Sequence, residues 1–384
     1  MLISLAALTL AVWLYLFLGR GFFWQVDPEK TDAAASGTKS ALIAAIVPAR
    51  NEAAVVARSV TSLLNQQDNQ NVQIFLADDN SSDGTAELAR RAATSAGRAD
   101  RLTIISGEPL PPGWSGKLWA VEQGVAAAKK TNPDFLLLTD ADIEHGPSSV
   151  AALCGIAESG GFDLVSFMVK LYCRSFAERA LIPAFVYFFF QLYPPRWIAS
   201  SKHKTAAAAG GCILLRPDAL ERAGGISAIR SEIIDDCALA RAVKQSGGRA
   251  WLGLTEQALS IRPYGSFAEI GRMISRNAFN QLQHSTLLLI AALLGMSVVY
   301  LLPPALALFS GNPAAEILAG LAWLLMTISL VPVVRFYRLN PAWSLALPLI
   351  ALFYMAASFH SAFRYWTGQG GEWKGRFQDP ARQD

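Results

Sequence analysis

Charge is missing from two long stretches of this 384-residue chain, and no other feature restricts its folding more. Residues 1–19, MLISLAALTLAVWLYLFLG, carry no charged side chain, and neither do the 31 residues from Ser285 to Ala315. An apolar run of about 20 residues can cross the hydrocarbon core of a bilayer as a helix, with its backbone polar groups paired internally. The whole chain is 52% hydrophobic and only 16% charged, too apolar for an ordinary soluble domain. It reads as a membrane-attached protein.

The first run lacks the basic start and the clear small-residue cleavage site of a signal peptide, so residues 1–20 read as an uncleaved anchor. Arg20, Lys30 and Lys39 follow it, and a basic flank on that side keeps the next domain in the cytoplasm. The second apolar block, 285–363, divides at SGNP (310–313) and RFYRLNP (335–341). Candidate spans then lie near 286–309, 314–334 and 342–363. Three spans would put the tail 364–384, with Arg364, Lys374, Arg376 and Arg382, opposite the central domain, against the basic-inside bias. Segment 286–309, with Pro303 and Pro304, is therefore a candidate interfacial or re-entrant piece, leaving two or three true spans. The expected location is a bacterial-type cytoplasmic (inner) membrane, multi-pass, with the central domain facing the cytoplasm and the side of the tail open.

Cys154, Cys173, Cys212 and Cys237 show no C-x-x-C spacing and read as reduced thiols. A net charge of +3 is too small to argue for nucleic acid, while basic residues beside apolar spans suit an anionic membrane surface.

Residues 21–40 are small and polar and read as a linker to a central domain over 41–284. ALIAAIVPA (41–49), VQIFLADD (72–79), RLTIISG (101–107) and DFLLLTDAD (134–142) are β-prone runs. Helical patterns begin after the first three, at Asn51, Ser81 and Gly116. Strand and helix in alternation imply right-handed crossovers and a mainly parallel sheet covered on both faces. Ligands of such sheets bind beyond the carboxyl ends of the strands. Those ends carry Pro48 to Glu52, Asp78 to Asp83, and Asp140 with Asp142. Neither a dinucleotide glycine fingerprint nor a phosphate-loop motif is present, which weakens NAD and ATP as ligands.

Asp140 and Asp142 repel each other unless something offsets their charge. A hard divalent cation would do so, since Mg²⁺ or Mn²⁺ takes oxygen ligands from one or two carboxylates and from substrate phosphates; a solvated turn is the alternative. Asp78 and Asp79 could accept hydrogen bonds from a ribose or base edge, or could simply belong to a turn before a capped helix. Asp235 and Asp236 open the amphipathic run SEIIDDCALARAVKQSG (231–247). They could serve the helix dipole, or one could be a general base tuned by its neighbour. His145 reads as a loop residue.

Taken in order, IVPARNEA, LADDNSSDGTAELA, GWSGKLWA, LLLTDADIEH, GGCILLRPDALERAGG and IIDDCALA resemble the family 2 glycosyltransferases over roughly residues 40 to 285. GWSGKLWA, the N-terminal anchor and an apolar C-terminal block carrying EWKGRF look most like the membrane-bound hopene-associated branch. The resemblance implies an α/β fold of the GT-A nucleotide-diphospho-sugar transferase type, plus N- and C-terminal transmembrane helices. It also implies that Pro48, Arg50, Asn51, Glu52 and Asp78 line a nucleotide pocket and that Asp79 holds the uracil or ribose side of a UDP-sugar. Asp140 and Asp142 match a D-x-D element that reaches the ribose and, through the metal, the diphosphate. Asp236 matches the family's catalytic aspartate, with Asp235 where a glutamate is usual. Gly210 and Gly211 would form an acceptor-side wall, and Lys117 could pair with a phosphate.

One departure stands out. Where processive relatives carry Q-x-x-R-W, this chain reads MISRN (273–277), keeping Arg276 for the diphosphate but not the aromatic platform. That favours a single transfer over polymer extrusion. The aromatic segment 178–197 is a candidate interfacial helix, or else a buried core helix.

The expected protein is an inverting, metal-dependent transferase that takes a nucleotide-sugar donor and a membrane lipid acceptor, by resemblance a hopanoid-type one. Transfer to a polyprenyl phosphate carrier and a noncatalytic membrane scaffold are the rival readings; a transporter is disfavoured because the spans carry almost no ionisable groups. The sequence gives no oligomeric state.

Overall fold

A computed structural model describes residues 1–25, 41–67, 71–368 and two two-residue strands at 372–373 and 376–377. Most of the linker 21–40, including Lys30 and Lys39, lies outside the described residues, as does nearly all of the tail beyond 368. The chain divides into two units. One comprises Pro28–Tyr172, Trp197–Arg262 and Gly371–Asp384; the other comprises Met1–Asp27, Cys173–Arg196 and Pro263–Gly370.

In the first unit, four strands form where apolar runs were expected: β1 (Leu42–Ala49), β2 (Asn71–Asp78), β3 (Leu102–Ser106) and β4 (Phe135–Thr139). Seven of the eight β1 residues are buried, which suits a strand covered on both faces. Helices Val56–Leu64, Thr85–Ser95 and Gly116–Ala128 lie between successive strands, and the pairings β1–β2, β2–β3 and β1–β4 are all parallel. Register aligns Ala49 with Asp78 and Ile46 with Leu138. The polar segments that follow β1, β2 and β4 therefore leave the sheet at the same edge.

Beyond β4 the sheet continues with strands that the sequence reading did not resolve: β5 (Ile143–His145), β6 (Leu164–Lys170), β7 (Cys212–Leu215) and β8 (Ala250–Ser260). The order is β3-β2-β1-β4-β7-β6-β8-β5. β7 runs antiparallel to β4 and β6, and β5 antiparallel to β8, while β6 and β8 are parallel. The sheet is mixed, with a parallel half that carries three of the expected clusters. Helix Gly116–Ala128 packs closely on β1: a Cβ at Gly124 would lie 2.5 Å from Ile46 Cγ2. Glycine there lets the helix approach the sheet.

Among the described residues, the second unit holds four helices long and apolar enough to cross a membrane: Leu2–Gly19, Thr286–Phe309, Pro313–Phe336 and Pro341–Trp366. The last three are separated at 310–312 and at 337–340. Thr286–Phe309 runs 24 residues, as long as a spanning helix, so its prolines do not shorten it. Pro303 and Pro304 sit near the start of the helical stretch Leu302–Phe309, just after a π-helical turn at Ser297–Leu301, and that turn relaxes the ladder where the proline lacks an N–H.

The expected single block 41–284 is thus interrupted, because 173–196 and 263–284 cluster with the apolar helices. Nine of the 17 residues of helix Phe176–Leu192 are buried, Tyr187 and Phe190 among them. Tyr187 hydrogen bonds with Ser329 at 2.8 Å, and the Tyr354 hydroxyl donates to the Leu181 carbonyl at 2.9 Å. Arg20 donates to the carbonyls of Gln191 and Leu192 at the end of the same helix, where orphan carbonyls attract a cation. None of the four cysteines is in a disulfide.

Candidate active site

The segments after β1 and β2 are tied to each other before they meet any ligand. Asn51 takes a left-handed φ of 52°, which asparagine tolerates, and this turns the chain back across the strand ends. Its N–H donates to Ser81 Oγ at 2.9 Å while its side-chain oxygen accepts from the Ser82 N–H at 3.0 Å. The Glu52 N–H donates to Thr85 Oγ1, and the Ala53 N–H to Asp83 Oδ2. Burial pulls the Asp83 carboxyl upward, but the Thr85 hydroxyl and the N–H groups of Ala53 and Thr85 hold it below the usual range.

Arg50 donates to the Asp79 carbonyl at 2.7 Å and to its Oδ2 at 3.1 Å. Asp79 is only 2% exposed, so its carboxylate is first of all the partner of Arg50. Asp78 accepts from the Ser81 N–H at 3.2 Å and closes the turn.

Asp140 and Asp142 diverge. Asp140 leaves the end of β4 and Asp142 occupies the turn before β5, where the Ile143 N–H donates to the Asp140 carbonyl. A straight strand would have pointed both one way; the turn separates them. Lys117 Nζ lies 3.1 Å from Asp140 Oδ1 and 3.1 Å from Asp235 Oδ2. Arg262 Nε donates to Asp142 Oδ2 at 2.7 Å, and its Nη2 donates to Glu52 Oε2 at 2.5 Å.

Lys117 stands in the first turn of helix Gly116–Ala128, whose start Ser115 caps by accepting from the Leu118 N–H. Burial disfavours its charge, yet Asp140, Asp235 and Asp236 more than compensate and keep the ammonium protonated well above its usual range. Asp140 is pushed upward by burial, against the pull of Lys117.

Asp235 and Asp236 open helix Asp235–Gln245. Asp236 Oδ1 accepts from the Cys237 N–H at 2.7 Å, and Oδ2 accepts from the Gly210 N–H at 2.8 Å. Burial and the neighbouring Asp235 raise the Asp236 carboxyl to about 6, with Lys117 and the two N–H donors opposing. A carboxyl in that range is suited to proton transfer near neutrality.

A small cleft joins these groups; Pro48, Lys117, Asp140, Gly210, Asp235 and Asp236 line it, with Leu118, Val121, Ile213 and Leu239 on the apolar side. Gly211 does not line it. A Cβ there would press against Val169 and Ile143, and its carbonyl accepts from the Thr139 hydroxyl.

His145, expected in a loop, instead ends β5 and is 3% exposed. Thr139 Oγ1 lies 3.0 Å from its Nε2, and Ser149 Oγ 3.2 Å from its Nδ1. Because the Thr139 hydroxyl already donates to Gly211, it accepts from Nε2–H, leaving Nδ1 to accept from Ser149. Burial lowers the imidazole to about 4, so the ring is neutral and structural.

Arg276 lies on helix Phe267–Gln281 in the other unit. Arg262 was missed by the sequence reading. Its only signal is a basic residue just past a β-prone run, before Pro263.

Among the described residues, no three His, Cys, Asp or Glu side chains group as a ready metal cage. Asp140 and Asp142, parted by the turn and held by Lys117 and Arg262, supply two carboxylate ligands at most, and a hard cation there would have to complete its shell with substrate phosphate oxygens.

Residues 44–224 match the family model described as glycosyl transferase family 2. This part of the chain is a family 2 glycosyltransferase domain. It contains every candidate residue except Asp235, Asp236, Arg262 and Arg276.

The chain is 29% identical over 130 residues to a 4,4'-diaponeurosporenoate glycosyltransferase of Staphylococcus haemolyticus, covering 34% of this chain and 30% of that one. The matched stretch is thus about a third of the curated relative. Among solved structures it resembles a mannosyltransferase from Pyrobaculum calidifontis in complex with GDP-Man and Mn²⁺, with a TM-score of 0.57 at 18% identity, covering 94% of this chain and 99% of that one. The fold around the family 2 domain is accordingly GT-A. A weaker likeness, TM-score 0.39 at 19% identity over 65% of this chain and 82% of the other, is to a glucosyl-3-phosphoglycerate synthase from Mycobacterium tuberculosis with Mn²⁺, UDP-Glc and phosphoglyceric acid.

Proposed function

We propose that the protein is an inverting glycosyltransferase that moves a sugar from a nucleotide-diphospho-sugar, UDP-linked, to a hydroxyl of a membrane lipid. The observation that carries this reading is the placement of Asp236. It shares one cleft with Asp140 and Lys117, is raised to about 6, and is aimed by the Gly210 amide. A carboxylate so placed can take the acceptor proton as the hydroxyl attacks the anomeric carbon in line.

Pro48, Arg50, Asn51, Glu52, Asp78 and Asp79 form the nucleotide side, and Asp140 with Asp142 would hold Mg²⁺ or Mn²⁺. Such a metal supplies Lewis-acid stabilisation of the diphosphate leaving group. Lys117 adds a fixed positive charge beside the same position, and Arg276 is assigned to the diphosphate by its place in the family pattern alone. Four helices able to span a membrane and a relative named for a lipid-like substrate support a lipid acceptor. A hopanoid-type acceptor follows from the sequence resemblance. The catalytic unit would face the cytoplasm at the inner membrane.

A second reading has an acceptor that is already an anion. Sugar transfer to a polyprenyl phosphate, or to a carboxylate such as the "-oate" in the relative's name, would require little base catalysis.

The test is incubation of membranes containing the full chain with a panel of labelled nucleotide sugars and extracted lipids, followed by mass analysis. A new lipid carrying one hexose through an ether-type glycosidic bond is the expected product. A glycosyl phosphate or ester would favour the second reading, and no glycolipid from any donor would refute both.

A further inference from the structure

Arg262 bridges two carboxylates that the chain supplies from far apart. Glu52 follows β1, Asp142 follows β4, and their side chains are 11% and 18% exposed. Two acids so enclosed repel unless a cation lies between them. The planar guanidinium fork can donate to both at once, which an ammonium does less well. Asp140, the other carboxylate of the pair, is held by Lys117. Both acids that a divalent cation would need are therefore engaged by bases of the chain itself.

We propose that Arg262 is a counter-ion latch on the donor pocket. Without donor it holds Asp142 to Glu52 and competes with a divalent cation for Asp142. When cation and nucleotide diphosphate enter together, the guanidinium exchanges Asp142 for a diphosphate oxygen, a partner of the same charge and hydrogen-bonding type. This rests on the donor-site reading given above. Its consequence is coupling: nucleotide tightens cation binding, and by thermodynamic reciprocity the cation tightens nucleotide binding. Arg262 acts here as a positioning and gating residue.

The test is titration of the full chain in detergent with Mn²⁺ alone and with Mn²⁺ plus UDP, following free Mn²⁺ by electron paramagnetic resonance. The wild type should bind Mn²⁺ about tenfold tighter or more when UDP is present, a typical coupling strength. In Arg262→Met, Mn²⁺ alone should bind about tenfold tighter than to the wild type, and the added effect of UDP should shrink. Arg262→Lys, which keeps the charge but not the fork, should fall between them; it carries the comparison if the methionine variant melts early. Equal Mn²⁺ affinity of wild type and both variants without UDP would overturn the latch. Failure of the wild type to bind Mn²⁺ even with UDP would instead overturn the donor-site reading, and the latch with it.

Discussion

The backbone N–H of Gly210 donates to Oδ2 of Asp236 at 2.8 Å, so the wall assigned to the acceptor and the group assigned to its proton are held in one hydrogen bond. A Cβ on Gly210 would come 3.3 Å from that same oxygen and 3.6 Å from Lys117 Nζ, closer than the carboxylate tolerates without shifting. Gly210→Ala should therefore lower kcat for sugar transfer about tenfold by displacing the base, given how steeply rates depend on such alignment. UDP affinity, measured by calorimetry, should stay near the wild-type value.

The pH profile offers a second check. Transfer needs the Asp236 carboxylate, and that carboxyl sits at about 6 through burial and the charge of Asp235, opposed by Lys117. Activity should fall as pH drops through about 6. Asp235→Asn removes a repulsion and should move the acid limb to lower pH; Lys117→Met removes an attraction and should move it to higher pH. Because these groups interact, the measured values belong to the cluster rather than to one carboxyl. The same shift has a stability sign. The folded chain holds this proton more tightly than the unfolded one, so stability declines as pH rises from the ordinary 3.8 to about 6 and is level above it.

Lys244 sits in the last turn of the helix that Asp235 and Asp236 begin, and its ammonium, with three N–H donors to share, lies 2.9 to 3.1 Å from the carbonyl oxygens of Ile198, Ser200, His203 and Thr205. One helix thus holds the segment 198–210 at both ends. Lys244→Met should cost about 1.5–3 kcal/mol of stability, the range for hydrogen bonds to a charged group, and thermal melting measures it. A variant as stable as the wild type would show that the clasp contributes little.

How much of this was readable in advance depends on how local each signal is. β1, β2 and β4 announced themselves because a strand buried on both faces needs an unbroken apolar run, and the acids at their tips came with them. Asp140 and Asp142 were placed at one tip, but their separation toward Lys117 and Arg262 was not visible, since it arises in a turn whose partners lie 23 and 120 residues away in the chain. β5 is three residues long and β7 four, too short for alternation to register, so those two strands, and His145 with them, carry no readable signal of their own. Segment 178–197 had the right aromatic content for two environments, and composition alone does not decide between an interface and a packed helix.

The most direct test of the account is the rate of sugar transfer from a nucleotide-sugar to a hydroxyl-bearing lipid by the full chain, wild type against Asp236→Asn, at saturating donor and metal. The amide is nearly isosteric, but its single oxygen can accept from only one of the Gly210 and Cys237 N–H groups, and it cannot take a proton. A fall of about 10²–10⁴ in kcat, the usual share of a general base, with UDP binding retained, is the predicted result; undiminished turnover would contradict it.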